Sequence, residues 1–155
     1  MDRVREAEKL LEHEAAKETV GHQIWAYNAV SRACLLLGWI EEARCLADRA
    51  VESSRHQPGF SAHALHLLGD IATHPDRFDA ESGAAHYQKA LALAELHGMR
   101  PLAAHCDFAL GKLYRGIGDR VKAQEHLPTA AGMYREMEMG FWLDQGEGEM
   151  AKFAM

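Results

Sequence analysis

The stretch "FALGKLYRGIGDRVKAQEHL", residues 108–127, decides the fold of this chain. Its apolar residues recur every three or four positions on both sides of the pair Gly118-Asp119. That spacing is typical of two amphipathic helices joined by a short turn, with Asp119 as the N-cap of the second helix. Gly111 lies inside the first helix, where glycine costs about 1 kcal/mol of helix propensity relative to alanine. We therefore expect another helix to pass so close to Gly111 that no larger side chain fits.

The same helical spacing extends over the whole chain, which has 155 residues and a hydrophobic content of 48%. No segment alternates between apolar and polar residues for long, and the chain is long enough to bury one core. We therefore predict a single all-α domain, with Asp79 as the N-cap of the fifth helix. The apolar pattern predicts eight helices with the approximate bounds 3–19, 22–37, 40–55, 60–73, 80–97, 101–117, 120–138 and 141–153.

An internal repeat underlies these helices. The segment "ALGKLYRGIGDRVKAQEHLPTA" (109–130) aligns with "HLLGDIATHPDRFDAESGAAHYQKA" (66–90), so that a Leu-Gly pair recurs. The segment "AVSRACLLLGWIEEARCLADRA" (29–50) provides a third copy, in which Ser31 takes the place of the glycine. The equivalent positions lie about 40 residues apart, which suits a helix-turn-helix repeat of about 34 residues with lengthened turns.

These copies resemble the tetratricopeptide repeat. The last copy matches the pattern at Leu110, Gly111, Tyr114, Gly118, Asp119, Ala123, Leu127 and Ala130. The middle copy keeps Leu68, Gly69, Tyr87 and Ala90. Its turn is longer, and Gly83 replaces the usual alanine; in the last copy, Asp107 stands where an aromatic residue is usual. The resemblance covers about residues 2–137 and implies a right-handed superhelical solenoid of antiparallel helix pairs, in which stacking buries a continuous core.

The resemblance also implies how the single domain, residues 1–155, is divided. The expected parts are an orphan second helix of a preceding repeat (1–20), three repeats (22–57, 60–97 and 101–138) and a capping helix (139–155). Stacked helix pairs need a cap over the last exposed core, and we expect Phe141 or Trp142 to provide it. The alternative is that the terminal helices form a homodimer seam, because a bare apolar stripe on the first helix invites self-association.

A narrower resemblance covers residues 62–143. The segment "HYQKALALAELHGMRPLAAHCDFALGKLYRGIGDRVKAQEHLPTAAGMYREMEMGFWL" (86–143) is similar to the C-terminal repeat region of large bacterial signalling ATPases that carry nucleotide-cyclase and nucleotide-binding domains upstream. This resemblance implies a regulatory interaction role in bacterial signalling. It implies no cyclase or ATPase activity, because none of the upstream catalytic residues are in this chain.

Composition narrows the classes of partner. The formal net charge is -6, which argues against nucleic acid, since phosphate binding requires a surplus of Lys and Arg. No apolar run approaches the roughly 20 residues that span a bilayer, and the N-terminus lacks the apolar region of a signal peptide. We therefore predict a cytoplasmic protein without a membrane partner. The chain has 3 cysteines, an odd number at wide spacing, which disfavours a disulfide framework.

The candidate binding face follows from the repeat. In such solenoids the first helix of each pair lines the concave face, on positions turned away from the partner helix. These positions mix exposed aromatic, cationic and imidazole side chains, a combination that suits a peptide with an acidic or amide-rich segment. The predicted partner-binding residues are Trp25, Asn28, Arg32, His63, His66, Asp70, His74, His105, Phe108, Lys112 and Arg115. An ordinary solvated face without a ligand is the alternative reading.

We interpret the chain as a non-catalytic protein-protein interaction or scaffold module that binds a peptide or partner domain. The alternative is a ligand-sensing domain that binds a small molecule or peptide in the His-rich groove. A metal-binding or enzymatic protein is a remote alternative. His63, His66 and Asp70 share one helix face and carry zinc-ligand chemistry, but their spacing alone does not supply convergent geometry. We therefore predict no metal and no cofactor.

Signs of catalysis are weak. "GIGD" (116–119) is a turn between helices, since no Lys or Ser follows it in the order of a phosphate-binding loop. Cys106 follows His105 directly, so their side chains diverge on a helix and do not form a catalytic pair. We predict that the protein is not an enzyme.

Pro128 conflicts with its local context. It lies inside the seventh predicted helix, where proline removes one backbone hydrogen bond. We predict a kink over residues 124–128.

Overall fold

The computed structural model describes residues 2–15 and 20–152, which contain eight α-helices and no strand. The helices are α1 (Asp2–Ala15), α2 (Val20–Leu36), α3 (Ile40–Ser53), α4 (Pro58–Ala72), α5 (Ala80–Leu96), α6 (Arg100–Gly116), α7 (Arg120–Glu136) and α8 (Gly140–Ala151). A short 3-10 helix, Pro75–Arg77, lies between α4 and α5. The all-α prediction is confirmed, and the predicted ends of the first and last helices fall outside the described residues.

Aspartates begin two of the helices, as predicted. The Asp79 carboxylate accepts a hydrogen bond from the backbone N–H of Ser82 at 3.0 Å. The Asp119 carboxylate accepts one from the backbone N–H of Lys122 at 3.2 Å. Each carboxylate satisfies an N–H group that the first helical turn leaves unpaired, so both predicted N-caps are confirmed.

Consecutive helices pack against each other along the whole series from α1 to α8. In addition, α2 contacts α4, and α4 contacts α6. The even-numbered helices are therefore neighbours in space, which brings together side chains that lie about 40 residues apart in sequence.

Glycine permits the closest crossings between helices. A Cβ atom on Gly111 would lie 2.5 Å from the Cγ atom of Leu127 and 3.1 Å from its backbone nitrogen. A Cβ atom on Gly69 would lie 2.5 Å from the Cδ1 atom of Tyr87. The expected close passage beside Gly111 is confirmed. Gly69, the equivalent glycine of the middle copy, lies at the same kind of close crossing.

Ser31, the equivalent residue of the first copy, solves the same problem differently. Its side chain is fully buried, and its hydroxyl donates a hydrogen bond to the backbone carbonyl of Ala43 at 2.6 Å. The small side chain lets α3 approach α2, and the hydrogen bond satisfies the hydroxyl that the approach buries.

Asp107 makes a polar contact between α6 and α7. Its side chain is buried, and its Oδ1 atom lies 2.7 Å from the Nδ1 atom of His126 on α7. The His126 ring in turn stacks on Tyr114, with the ring centroids 5.6 Å apart. A polar pair thus joins α6 to α7 at this position.

Pro128 is exposed, and α7 continues through it from Arg120 to Glu136. The kink predicted over residues 124–128 stays a prediction.

The turns after α2, α5, α6 and α7 share one hydrogen-bond pattern. In the turn after α6, the backbone N–H of Asp119 donates to the carbonyl of Tyr114 at 2.9 Å. Gly118, the residue before Asp119, has a positive φ. Glycine occupies that left-handed position in three of the turns, whereas Glu138 occupies it after α7 with φ 56°. A side chain in the left-handed region is strained because Cβ approaches the following carbonyl.

We predict that Gly111→Ala lowers the free energy of unfolding by about 1–3 kcal/mol, because the added Cβ would meet the backbone of α7 as well as a side chain. Urea denaturation followed by circular dichroism measures the change. Gly132→Ala in α7 is the matched control, since a Cβ there meets no atom within 4 Å and should leave stability equal or higher. Equal stability of Gly111→Ala and the wild type would contradict the prediction.

We predict that Glu138→Gly raises the free energy of unfolding by about 0.5–1 kcal/mol, because glycine adopts the left-handed region without strain. The exposed side chain of Glu138 makes the substitution local. Thermal melts compare it with Gly118→Ala, the reverse change at an equivalent turn, which should be destabilising. A lower melting temperature for Glu138→Gly would refute the argument.

Candidate functional site

A groove of about 660 Å³ opens along α2, α4, α6 and the start of α8. It brings together seven of the residues predicted from sequence: Arg32, His63, His66, Asp70, His105, Phe108 and Lys112. The remaining wall is largely apolar and includes Phe78, Leu102, Ala109, Leu113 and Trp142, together with the hydroxyl residues Thr73 and Tyr87. The neighbouring even-numbered helices are what place these side chains on one surface.

Asp70 is the centre of a polar network in the groove. The Tyr87 hydroxyl donates a hydrogen bond to its Oδ1 atom at 2.8 Å. On the other oxygen, Oδ2, Arg32 Nη1 lies 3.4 Å away and His66 Nδ1 lies 3.5 Å away. Residues from three helices therefore share one carboxylate, which fixes its position.

The Tyr87 hydroxyl is a permanent donor in this network. Burial of the ring raises the pKa of Tyr87, and the nearby Asp70 carboxylate raises it further. Thr73 holds the same hydroxyl, with the two oxygens 3.1 Å apart. Tyr87 lies on α5 and was read from sequence only as a packing residue, since the repeat pattern carries no signal for its hydroxyl.

Two groove histidines are neutral at pH 7. Burial, together with the neighbouring His66, lowers the pKa of His105 to about 4. Burial, then the proximity of His66 and Arg32, also lowers the pKa of His63. A neutral imidazole both donates and accepts a hydrogen bond, so these rings can pair with uncharged amides.

One buried ring nitrogen of the groove histidines lacks a partner in the described part of the chain. His66 Nε2 is buried and has no hydrogen-bond partner among the described residues. Leaving a buried polar atom unpaired costs about 1–3 kcal/mol. No group of three or more His, Cys, Asp and Glu side chains in the described ranges, 2–15 and 20–152, is arranged to hold a metal ion.

An aromatic cluster closes one end of the groove. Phe108 is only 9% exposed, and its ring centroid lies 6.2 Å from that of Tyr134 and 6.3 Å from that of Trp142. His105 Nδ1 lies 2.8 Å from the Tyr134 hydroxyl. Phe108 is therefore not the exposed aromatic residue that we expected, because α8 covers it.

Arg115 is likewise occupied by α8. Its Nη2 atom lies 2.6 Å from the Oε2 atom of Glu149. The sequence placed Arg115 on an open face because the repeat pattern ends before α8 and says nothing of which surface α8 covers. Trp142 is one of the two residues expected to cap the core, but its place in the groove wall and the pairing of Glu149 with Arg115 have no signal in the repeat pattern.

Three further predicted residues do not line the groove. Asn28 is buried, and its amide has no hydrogen-bond partner among the described residues. His74 begins the 3-10 helix, where its Nδ1 atom accepts a hydrogen bond from the backbone N–H of Asp76 at 3.3 Å. Trp25 is 54% exposed and lines an adjoining apolar depression of about 400 Å³ with His63 and Phe60.

Cationic side chains lie at the rim of the groove. Arg32 and Lys112 are both exposed, and the Lys112 Nζ atom lies 5.4 Å from the centroid of the Phe108 ring. The carboxylate of Asp70 is already shared by groups of the protein itself. The exposed cations at the rim therefore favour ligand groups that are negatively charged or accept hydrogen bonds.

Comparisons with known proteins yield no relative: no model of a protein family matches the chain, and the search of curated proteins finds no significant match. Within the described residues, no helix combines the length and the apolar character that crossing a bilayer requires. The groove is therefore the feature from which a function has to be inferred.

The lowered pKa of His105 predicts a pH dependence of stability. The unfolded chain takes up the His105 proton as pH falls below about 6.5, whereas the folded chain takes it up only near pH 4. The stability that neutral His105 provides is thus complete above pH 6.5 and is lost as pH falls toward 4. The variant His105→Gln should not show this loss, because glutamine does not take up a proton in this pH range.

Urea denaturation at pH 7.5 and pH 4.5 tests this expectation. The wild type should lose more stability between the two pH values than His105→Gln does, and His97→Gln, an exposed histidine outside the groove, is the matched control. Equal losses in the wild type and His105→Gln would show that His105 has no such role.

Proposed function

We propose that this chain is a non-catalytic protein-interaction module whose groove binds a peptide or an extended segment of a partner protein. The observation that carries the proposal is the groove itself, in which seven residues chosen from the repeat pattern line one surface. Polar groups on α2, α4 and α6 stand beside apolar wall residues, the combination that ligand sites use for orientation and affinity.

A tetratricopeptide-like arrangement is part of this proposal. The contacts of α2 with α4 and of α4 with α6 support it, as do the equivalent close crossings at Ser31, Gly69 and Gly111. We propose that the helix pairs stack as a right-handed solenoid whose concave side is the groove. The resemblance of residues 62–143 to the repeat regions of bacterial signalling ATPases supports a regulatory role in the bacterial cytoplasm.

The chemistry of the groove favours a particular class of peptide. Arg32 and Lys112 attract acidic side chains, and the neutral His63 and His105 pair with peptide amides. The unpaired Nε2 atom of His66 gains a partner if a ligand amide or hydroxyl reaches it. Leu102, Leu113 and Trp142 offer an apolar wall to an aliphatic or aromatic side chain.

Cys106 near the groove carries a thiol, a reactive type of side chain, but this thiol is buried and protonated, which supports a role without catalysis. Cys106 is fully buried, and burial, with the nearby Asp107, raises its thiol pKa to about 12. Only the thiolate is a good nucleophile, and at neutral pH this thiol stays protonated.

A ligand sensor is the second candidate function. The fixed set of Arg32, Asp70 and Tyr87 lies in a groove whose volume falls within the range of small-molecule sites, about 300–1,000 Å³. A metabolite that bears both a hydrogen-bond donor and a carboxylate would match this set. Such a ligand would raise the melting temperature of the wild type.

A peptide selection tests the proposed function. Peptides selected from a displayed random library on the wild-type protein are synthesised, and their affinities are measured by calorimetry. Ala109→Trp places a large ring in the groove and should weaken binding at least about tenfold, a loss of about 1.4 kcal/mol. The peptides selected should be acidic or amide-rich, and their affinity should fall as salt rises.

Ala85→Trp is the matched control, since Ala85 is exposed on α5 and does not line the groove. Circular dichroism confirms that both variants are folded. Peptides that bind Ala109→Trp and Ala85→Trp equally would place the interaction elsewhere and contradict the proposal. Metabolites that raise the melting temperature of Ala85→Trp but not of Ala109→Trp would favour the sensor.

A further inference from the structure

The last helix, α8, covers the portion of α6 that the repeat pattern marks as a binding face. The Trp142 ring lies 4.6 Å from the His105 ring and 6.2 Å from the Tyr134 ring, measured between centroids. Seven residues further along α8, the Glu149 carboxylate pairs with Arg115. These two side chains occupy an aromatic slot and a cationic site on α6 and α7, which together we call the α8 seat.

The helix that fills the seat is weakly held. Gly146 is the only residue of α8 that is buried, whereas α6 buries ten. Trp142 remains 36% exposed, and Phe141 beside it is 68% exposed. With so little buried surface, α8 gains less from docking than α6 does from packing.

The sequence of α8 does not compensate for this small burial. Glycine occupies three of its twelve positions and disfavours helix more than any residue except proline. No side chain caps its N-terminus, and Glu138 in the preceding turn adopts a left-handed conformation. Leu143 and Met150 pack only partly buried against the core beside α7, and the Arg135–Glu147 link is an exposed ion pair at 2.9 Å, a type that contributes little.

The seat is polar and apolar in defined places. His105, Phe108 and Tyr134 form its aromatic slot. The Arg115 guanidinium lies about two helical turns beyond Phe108 on α6. A helix fits this surface if it carries an aromatic residue and, seven positions later, a carboxylate, as α8 does with Trp142 and Glu149. Helices that lay such anchors into a groove are a common mode of peptide recognition.

We propose that α8 is a displaceable segment and that its seat on α6 and α7 binds a partner helix with this aromatic-and-acidic pattern. A local opening of α8 exposes the seat, and the partner helix takes the place of Trp142 and Glu149. The proposal does not rest on peptide binding in the groove. Because Trp142 also lines the groove, displacement of α8 widens that end of it.

Amide hydrogen exchange on the wild-type protein tests whether α8 opens by itself. The amides of α8 should exchange at least about 100-fold faster than those in the middle of α6 and α7, because a local opening exposes them without global unfolding. Equal protection of α8, α6 and α7 would overturn the proposal.

A variant that strengthens α8 should close the seat. A Cβ atom at Gly146 would lie 3.6 Å from the Cβ atom of Ala131, an ordinary contact, and one at Gly148 would meet nothing within 4 Å. The double variant Gly146→Ala with Gly148→Ala should slow exchange in α8 about tenfold, since alanine favours helix. Gly132→Ala, the matched control in α7, should leave exchange in α8 unchanged; a faster or unchanged rate in the double variant would overturn the proposal.

Binding in trans tests the chemistry of the seat. The probe is a labelled peptide of residues 139–152 with Gly146→Ala and Gly148→Ala, measured by fluorescence anisotropy. It should bind full-length protein with Trp142→Ala and Glu149→Gln at least about tenfold more tightly than it binds the alanine double variant, in which α8 stays docked. The same peptide with Trp142→Ala should bind neither protein.

Equal affinity of the probe for the two proteins, or no binding to either, would overturn the proposal. Circular dichroism and exchange in α4 to α7 establish that the Trp142→Ala, Glu149→Gln protein is folded. If it is not, the exchange experiment on the wild type still decides whether α8 opens.

Discussion

The close crossing of helices at one small residue in each repeat copy is the constraint on which the rest of the structure depends. At Gly111 the partner helix leaves no room for a Cβ atom, at Gly69 the ring of Tyr87 fills the same space, and at Ser31 a hydroxyl bonds a backbone carbonyl. Each crossing sets the distance within one pair of helices. Because α4 also touches both α2 and α6, these distances determine which side chains face each other across the groove.

The groove is more strongly organised on its α4 side than on its α8 side. Around Asp70, hydrogen bonds from Tyr87 and Arg32 and the nearby His66 ring converge on a single carboxylate, so residues of three helices hold its position. At the other end the wall is provided by Trp142, on a helix that buries a single residue. Under the proposed function, the Asp70 end selects the ligand and the Trp142 end adapts to its length.

Local rules predicted the helices well because the signals for them are local. Helix bounds, the N-caps at Asp79 and Asp119 and the tight spot at Gly111 all follow from side-chain size, spacing and capping chemistry within about twenty residues. Seven of the residues taken from the repeat register line the groove. The register did not indicate that α8 covers Phe108 and Arg115, because α8 lies outside the repeat. It also gave no sign of the Tyr87 hydroxyl, because a periodic pattern identifies a packing position without indicating where a hydroxyl points.

Tyr87 belongs to both parts of the molecule at once. Its ring packs over Gly69 where α4 and α5 cross, and its hydroxyl, at the far edge of the same ring, holds Asp70 in the groove. A shift of the crossing therefore moves the hydroxyl, and with it the charge that a ligand meets. Substitution of Tyr87 therefore changes the helix crossing and the groove charge together, whereas substitution of the exposed rim residue Lys112 changes the charge alone.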